Sequence, residues 1–349
     1  RCDYNVKTTY TNIIPLDINK IAPLMIASFD IECTSYHGDF PLSKKNYKKV
    51  AQDLAIVARA GYSYNEEYIL YWLNTIFTED IIIDNLTINR VYPKNISNIN
   101  NISSRIKPYI NNIISILDKI SEFEDGVLHD NQEDNEEKQD NKSKLTIAQI
   151  NIEEDNLNNI LSSCLPALLG DKIIQIGTTV HIYGSDNIIY KNVITLNSCD
   201  SIQNCDVIEC KTEKKLLKEW KKIISELNPD VLIGYNIFGF DMNYIWERAT
   251  ELGIIEEFSM GLGKIINRKS TLIKQELTSS ALGHNELKYF DMDGVIVIDL
   301  FKVMQKDHKL DSYKLDNVAS IFLGDKKDDL KPKELFEKFK GNSFDRCVI

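Results

Sequence analysis

From Asp171 onward the sequence alternates apolar runs of strand length with segments of helical period, and this alternation restricts the chain to a layered α/β fold. KIIQIGTTVHIY and NIIYKNVITL read as two strands joined by a turn at Gly184, Ser185 and Asp186. Thr212 stands where it can cap EKKLLKEWKKIISEL, whose Leu216, Leu217, Trp220, Ile223, Ile224 and Leu227 share one helical face, with lysines on the solvated face. Asn228 and Pro229 end that helix, DVLIGYN follows as a buried strand, and FDMNYIWERATEL is a second helix stopped by Gly253. LKYFDMDGVIVIDL is strand-like, and short helices are expected around DLFKVMQ, KLDNVASIFLG and KELFEKFKG.

Upstream, Leu24 to Glu32 (LMIASFDIE) is an apolar strand that ends in carboxylates. A section rich in Asn and Ile lies between the two regions, from about Asn85 to Asn159. YILYWLNTIF and YINNIISILDKI have the apolar spacing of short helices or a small satellite subdomain. NQEDNEEKQDNKSK contains no apolar residue, cannot bury surface against the entropy of ordering, and is expected to be a disordered loop.

With 43% hydrophobic residues in 349, the chain can bury a sizeable core. No stretch approaches the roughly 20 apolar residues of a membrane span, and the first thirty residues lack a signal layout, so membrane and secretory readings fall away. Seven cysteines without paired short spacing point to reduced thiols in an intracellular compartment. Cys199, Cys205 and Cys210 invite a zinc reading, but their gaps differ from CxxC pairs and no histidine is near in sequence. The sequons at Asn85, Asn95, Asn101 and Asn141 are what Asn-rich text produces by chance. The formal charge of −11 is concentrated: twelve acids and three lysines fall within residues 121–160. The rest of the chain is close to neutral, so global charge does not exclude a nucleic-acid substrate.

Asp30 and Glu32 lie two apart on a strand, so both project from one face. Two acids there repel unless a cation lies between them; a solvent-facing pair at a strand end is the structural alternative. The second element is NPDVLIGYNIFGFDMNYIWERA, where Asn236 offers amide hydrogen bonds, Phe240 an aromatic face and Asp241 a carboxylate within one strand-to-helix turn. An acid at a helix start is also an ordinary cap.

FDIEC (Phe29 to Cys33) and YNIFGFD (Tyr235 to Asp241) resemble the first and second exonuclease motifs of family B DNA polymerases. GDKIIQIGTTV, TEKKLLKEWKKIISELNPDVLIGYNI and VIVIDLFKVMQKDHKLDSYKLDNVASIFLGDKKDDL also resemble their counterparts in eukaryotic polymerase delta and in replicative polymerases of large DNA viruses. Roughly two thirds of the chain takes part, with several motifs in the right order. The resemblance implies an RNase H-like 3′–5′ exonuclease domain that proofreads DNA, interrupted by a long Asn-rich and acidic insertion. It implies that Asp30, Glu32 and Asp241 hold two divalent ions, Mg²⁺ or Mn²⁺. Asn236 and Phe240 match positions that hold the frayed, single-stranded primer end; for Phe240, stacking on a base and packing in the core both remain open.

On this resemblance residues 1–23 are the tail of an amino-terminal domain. Residues 24–60 are the first part of the exonuclease domain, 61–165 the insertion, and 166–349 the remainder. The family's third motif, Y-x-x-x-D, has no match: Tyr313 and Asp316 are one residue short, and Tyr313 reads as a packing residue of the KLDSYKLDNVA helix. The chain, which begins at Arg1, is therefore expected to be part of a longer polymerase and to stop before that motif, without activity alone. Leu282, Gly283, His284 and Asn285 are expected to form the turn of a β-hairpin that helps move the primer end. His284, and Lys326, Lys327, Lys331 and Lys333, either touch DNA or are simply solvated. Expected partners are DNA, the remaining polymerase domains and a sliding clamp, with no membrane. A virus factory in the cytoplasm and a host nucleus are both compatible locations. The competing reading is an inactive RNase H-like module that binds single-stranded ends or replication proteins.

Overall fold

β1 (Met25–Cys33) forms where every second residue is apolar: Ala27, Phe29, Ile31 and Cys33 are buried on one face, while Asp30 is exposed and Glu32 half-buried on the other. In this computed structural model the described residues are 7–17, 19, 22–36, 38–123, 136–265, 267–279, 283–324 and 330–349. The chain divides into two compact units, residues 1–43 with 171–349, and residues 44–170.

After β1 the chain builds the second unit. It contains α1 (Lys48–Arg59), α2 (Glu66–Thr75), the hairpin β2 (Ile81–Ile83) and β3 (Leu86–Ile88), α3 (Ile102–Ile106), α4 (Ile110–Glu122) and α5 (Glu136–Cys164). Its own core is Ile- and Leu-rich, with Leu54, Leu73, Ile88, Ile113 and Leu117 fully buried alongside Leu157 and Leu161. The two apolar segments read as short helices are α2 and α4. The expected domain boundaries at 60 and 165 differ from those of this unit: α1 packs into the helical core through Val50, Ala51, Leu54 and Ala58, so the unit begins at Lys44 and ends at Gly170.

The expectation of a disordered loop over NQEDNEEKQDNKSK is corrected for residues 136–144, which are helical in α5; residues 131–135 lie outside the described residues. Glu, Lys and Gln are good helix formers, and extending a helix already held by packing at Leu157 and Leu161 avoids the cost of nucleation. An all-polar run is therefore compatible with helix where a packed segment continues it.

On returning, the chain completes the first unit with β4 (Ile173–Ile182), β5 (Ile188–Leu196), β6 (Asp206–Cys210), α6 (Glu213–Leu227), β7 (Val231–Gly234), α7 (Asp241–Glu251) and α8 (Ile255–Ser259). The hairpin β8 (Thr271–Ser279) and β9 (Gly283–Asp291) follows, then β10 (Ile296–Asp299), α9 (Leu300–Asp307), α10 (Leu315–Leu323), α11 (Pro332–Lys340) and α12 (Ser343–Cys347). Six strands form a mixed sheet in the order β10-β7-β1-β4-β5-β6. β7 and β10 run parallel to β1, β4 and β5 form an antiparallel meander on its other side, and β6 runs parallel to β5. Thr212 caps α6 as expected, accepting from Lys215 N at 3.2 Å. The apolar face of α6 packs Trp220 against Phe29 and Phe258 in the core of this unit. Among the described residues no helix is long and apolar enough to cross a membrane.

The expected turn at Leu282–Asn285 is corrected. Gly283, His284 and Asn285 are strand residues of β9, paired with Ser279, Thr278 and Leu277, and Leu282 lies outside the described residues. Ladder pairing here reaches as far as Gly283, and His284 Nδ1 lies 3.2 Å from Thr278 Oγ1 across it. Tyr313 precedes α10 rather than lying in it; its hydroxyl donates to His308 O at 2.8 Å and closes the turn before the helix.

Candidate functional site

Because β1, β7 and β10 are parallel, their carboxyl ends lie at one edge of the sheet, the place where α/β sheets present ligand-binding groups. β1 brings Asp30 and Glu32 there. Asp30 pairs with Gly177 in the antiparallel ladder, and a Cβ at Gly177 would meet nothing within 4 Å, so the sheet beside Asp30 is open there. Glu32 pairs with Gln175, whose amide donates to Arg346 O at 2.7 Å.

β7 delivers the second element. The chain leaves the sheet at Gly234, where a Cβ would come within 2.8 Å of Phe29 O and strike the Ile237 side chain, so only glycine permits this close approach to β1. Asn236 is left-handed with φ of 62° and its carbonyl accepts from Gly239 N and Phe240 N, both at 3.0 Å. A Cβ on Gly239 would strike the Asn236 carboxamide, which therefore lies over the turn, exposed.

Asp241 opens α7 at 3% exposure, and its Oδ1 accepts from Ile31 N at 3.2 Å, a contact between residues 210 apart in sequence. Burial pushes its carboxyl well above the usual carboxylate range, and the neighbouring Asp30, which shares a hydrogen bond with it, adds to the rise. The backbone N–H groups of Ile31 and of Asp241 itself oppose the shift. Burial also raises the Cys33 thiol, leaving it a protonated neighbour rather than a nucleophile.

Asp30 and Asp241 are thus brought together, whereas Glu32 stands one pleat repeat further along β1, about 6.6 Å on. Among the described residues no three His, Cys, Asp or Glu side chains are arranged as they stand to hold a metal ion. The donor set nevertheless fits a hard divalent cation, because burial and the neighbouring Asp30, which drive Asp241 toward protonation, are both offset by such an ion's charge. Cys199, Cys205 and Cys210 are free thiols and form no such group.

Phe240 is half-buried between Tyr244, with ring centroids 5.0 Å apart, and Phe40, at 5.5 Å and edge-on. Phe40 is 71% exposed and lines, with Glu32, Phe240, Leu335 and Phe336, a cavity of about 610 Å³. The segment that carries Phe40 is pinned at its end. Leu42 N donates to Asp171 Oδ2 at 3.0 Å, and Arg248 Nη1 donates to Ser43 O at 3.2 Å. Arg248, 1% exposed, also forms a two-bond pair with Glu213 at 2.8 and 2.7 Å.

Sequence reasoning missed Phe40, Arg248 and Asp299. For Asp299 a signal was present: VIVID repeats the layout of IASFD, an apolar strand ending in an acid. Of the lysines singled out, Lys331 precedes α11 as its N-cap and Lys333 lies in its first turn, both exposed, while Lys326 and Lys327 lie outside the described residues.

A family model described as the exonuclease domain of family B DNA polymerases matches residues 1–104 and 73–318. The chain is 40% identical over 349 residues to a DNA polymerase of Pyramimonas orientalis virus, covering 93% of this chain and 28% of that protein. It is 39% identical over 173 residues to the DNA polymerase delta catalytic subunit of Glycine max, covering 50% of this chain and 16% of that one. A DNA polymerase of Paramecium bursaria Chlorella virus NY2A is 33% identical over 186 residues, or 51% and 20%. The chain thus spans less than a third of the length of each of these relatives. With the family model matching most of its length, the chain belongs to the family B DNA polymerases through their exonuclease domain.

Proposed function

We propose that the first unit is an RNase H-like 3′–5′ exonuclease that proofreads for a replicative DNA-directed DNA polymerase, the whole protein carrying out template-directed synthesis in viral DNA replication. The observation that carries this reading is the meeting of Asp241 with Asp30 on the open face of β1, with Glu32 two residues on. The strand order, an antiparallel meander on one side of β1 and parallel strands on the other, supports the RNase H-like assignment.

Asp30, Glu32 and Asp241 would hold Mg²⁺ or Mn²⁺, two ions on the family reading, which when bound supply charge neutralisation at the scissile phosphate and an activated water. The protein supplies the rest. Asn236 presents its amide, and Phe240, backed by Tyr244 and beside Phe40, lines the cavity next to Glu32; together these hold an unpaired 3′-terminal nucleotide. Binding of this kind uses unpaired bases, which frayed, mismatched termini offer more readily than a paired end. The residues of 44–170 are read as an insertion into this domain.

The test is degradation of a labelled mismatched 3′ end with Mg²⁺ by the full-length polymerase, beside the double variant Asp30→Ala, Glu32→Ala. Hydrolysis is expected in the first and abolished in the second, with synthesis retained in both. Equal hydrolysis in both, or none in the first, would overturn the reading in favour of a nuclease-like fold that only binds single-stranded ends.

A further inference from the structure

The turn that carries Asn236 and Phe240 has left the sheet, so its backbone N–H groups need partners that the ladder no longer provides. Asp299 supplies them. It is the last residue of β10, 2% exposed, and lies opposite Gly234 in the parallel ladder. Its Oδ1 accepts from Asn236 N at 2.8 Å and from Phe301 N at 2.9 Å; its Oδ2 accepts from Phe238 N at 3.0 Å. One buried carboxylate thus ties the turn after β7 to the first turn of α9.

We propose that Asp299 is a positioning residue that fixes the Asn236–Phe240 turn in the conformation that grips the 3′-terminal nucleotide. This deepens the exonuclease reading and rests on it. Both carboxylate oxygens of Asp299 are engaged by backbone N–H groups, so it acts through the turn and not on substrate. Asn236 holds φ of 62°, a left-handed conformation that asparagine tolerates better than other non-glycine residues, so the residue itself helps form the turn that Asp299 holds. Asp241 has an anchor outside the turn: its Oδ1 accepts from Ile31 N of β1 at 3.2 Å. Loss of Asp299 therefore loosens the grip on DNA more than it displaces the metal-binding carboxylates.

The experiment compares full-length polymerase with its Asp299→Ala and Asp299→Asn variants in two assays. The first is exonuclease turnover on single-stranded DNA across DNA and Mg²⁺ concentrations. The second is binding of a strand ending in 2-aminopurine, followed by fluorescence with Ca²⁺ in place of Mg²⁺. Removing charge-assisted bonds to two turn residues is expected to raise KM and the fluorescence Kd about tenfold in Asp299→Ala. Asp299→Asn, which keeps an acceptor for Asn236 N, is expected to show a smaller rise. The kcat at saturating DNA and the half-saturating Mg²⁺ concentration are expected to stay near wild type.

Unchanged KM and Kd in variants that melt cooperatively would overturn the proposal, as would a fall in kcat alone. Loss of the thermal transition in both variants would assign Asp299 to the fold as a whole and overturn it equally. The two readings fail separately: a wild type that binds the strand but does not hydrolyse it removes the exonuclease reading, while the fluorescence Kd still decides the role of Asp299.

Discussion

Asp241→Asn should make the metal-free protein more stable, and more so as pH rises. In the folded state burial and Asp30 raise the Asp241 carboxyl well above its ordinary value of 3.8, while the unfolded chain titrates normally. A raised carboxyl contributes stability that is present below the unfolded value and lost as pH climbs through the folded one. The wild type therefore carries a growing penalty from just above pH 3.8 upward until Asp241 is ionised in the fold. The asparagine side chain of the variant mimics the protonated acid: its amide oxygen can keep the bond from Ile31 N, and its NH₂ can donate to Asp30. One proton linked to folding gives a slope of up to about 1.4 kcal/mol per pH unit. For a unit of this size that is roughly 3–6 °C in Tm per pH unit. The assay is a series of thermal melts in EDTA between about pH 5 and about pH 8. The gap between variant and wild type should widen with pH in EDTA and shrink or reverse in Mg²⁺, which the wild type alone binds well. A gap independent of pH, or a wild type more stable than the variant at the alkaline end in EDTA, would refute the reasoning.

Arg248→Ala leaves Glu213 and Glu251 buried without their shared guanidinium and should cost about 3–5 kcal/mol, seen as a fall in Tm on the order of 10 °C; a loss under ~1 kcal/mol would show that the pair is not buried in solution. Replacing residues 44–170 with a short Gly–Ser linker should leave the first unit folded within ~1 kcal/mol. Its ends are already held by the pairing of Leu42 with Asp171, at 2.7 and 3.0 Å, so the linker has little to close; loss of the cooperative melt would refute this.

Elements set by near neighbours are legible in the sequence. The cap at Thr212, the stop at Gly253 and the apolar face of α6 depend on residues within one or two turns, and spacing along the chain is enough to find them. The placement of Asp30 and Glu32 on one face of β1 follows from the period of a strand, whatever the strand packs against. A local rule fails beyond its reach. Polar composition over residues 136–144 does not exclude helix, and a glycine at 283 is compatible with ladder pairing as well as with a turn.

By itself, then, the sequence determined β1, β4, β5, α6, β7 and α7 of the sheet-bearing unit, though not β6 or α8, together with the shared face of the first two carboxylates and the family, because each rests on order and spacing along the chain. Only the tertiary structure decided what those residues meet. The contact of Asp241 with Ile31 spans 210 positions, and the hold of Asp299 on Asn236 spans 63. Such contacts arise from the parallel register of β1, β7 and β10, which is set by packing summed over the whole core. The same register buries one carboxylate against another and so changes its protonation, a property that depends on dielectric and distance and that residue spacing alone does not contain.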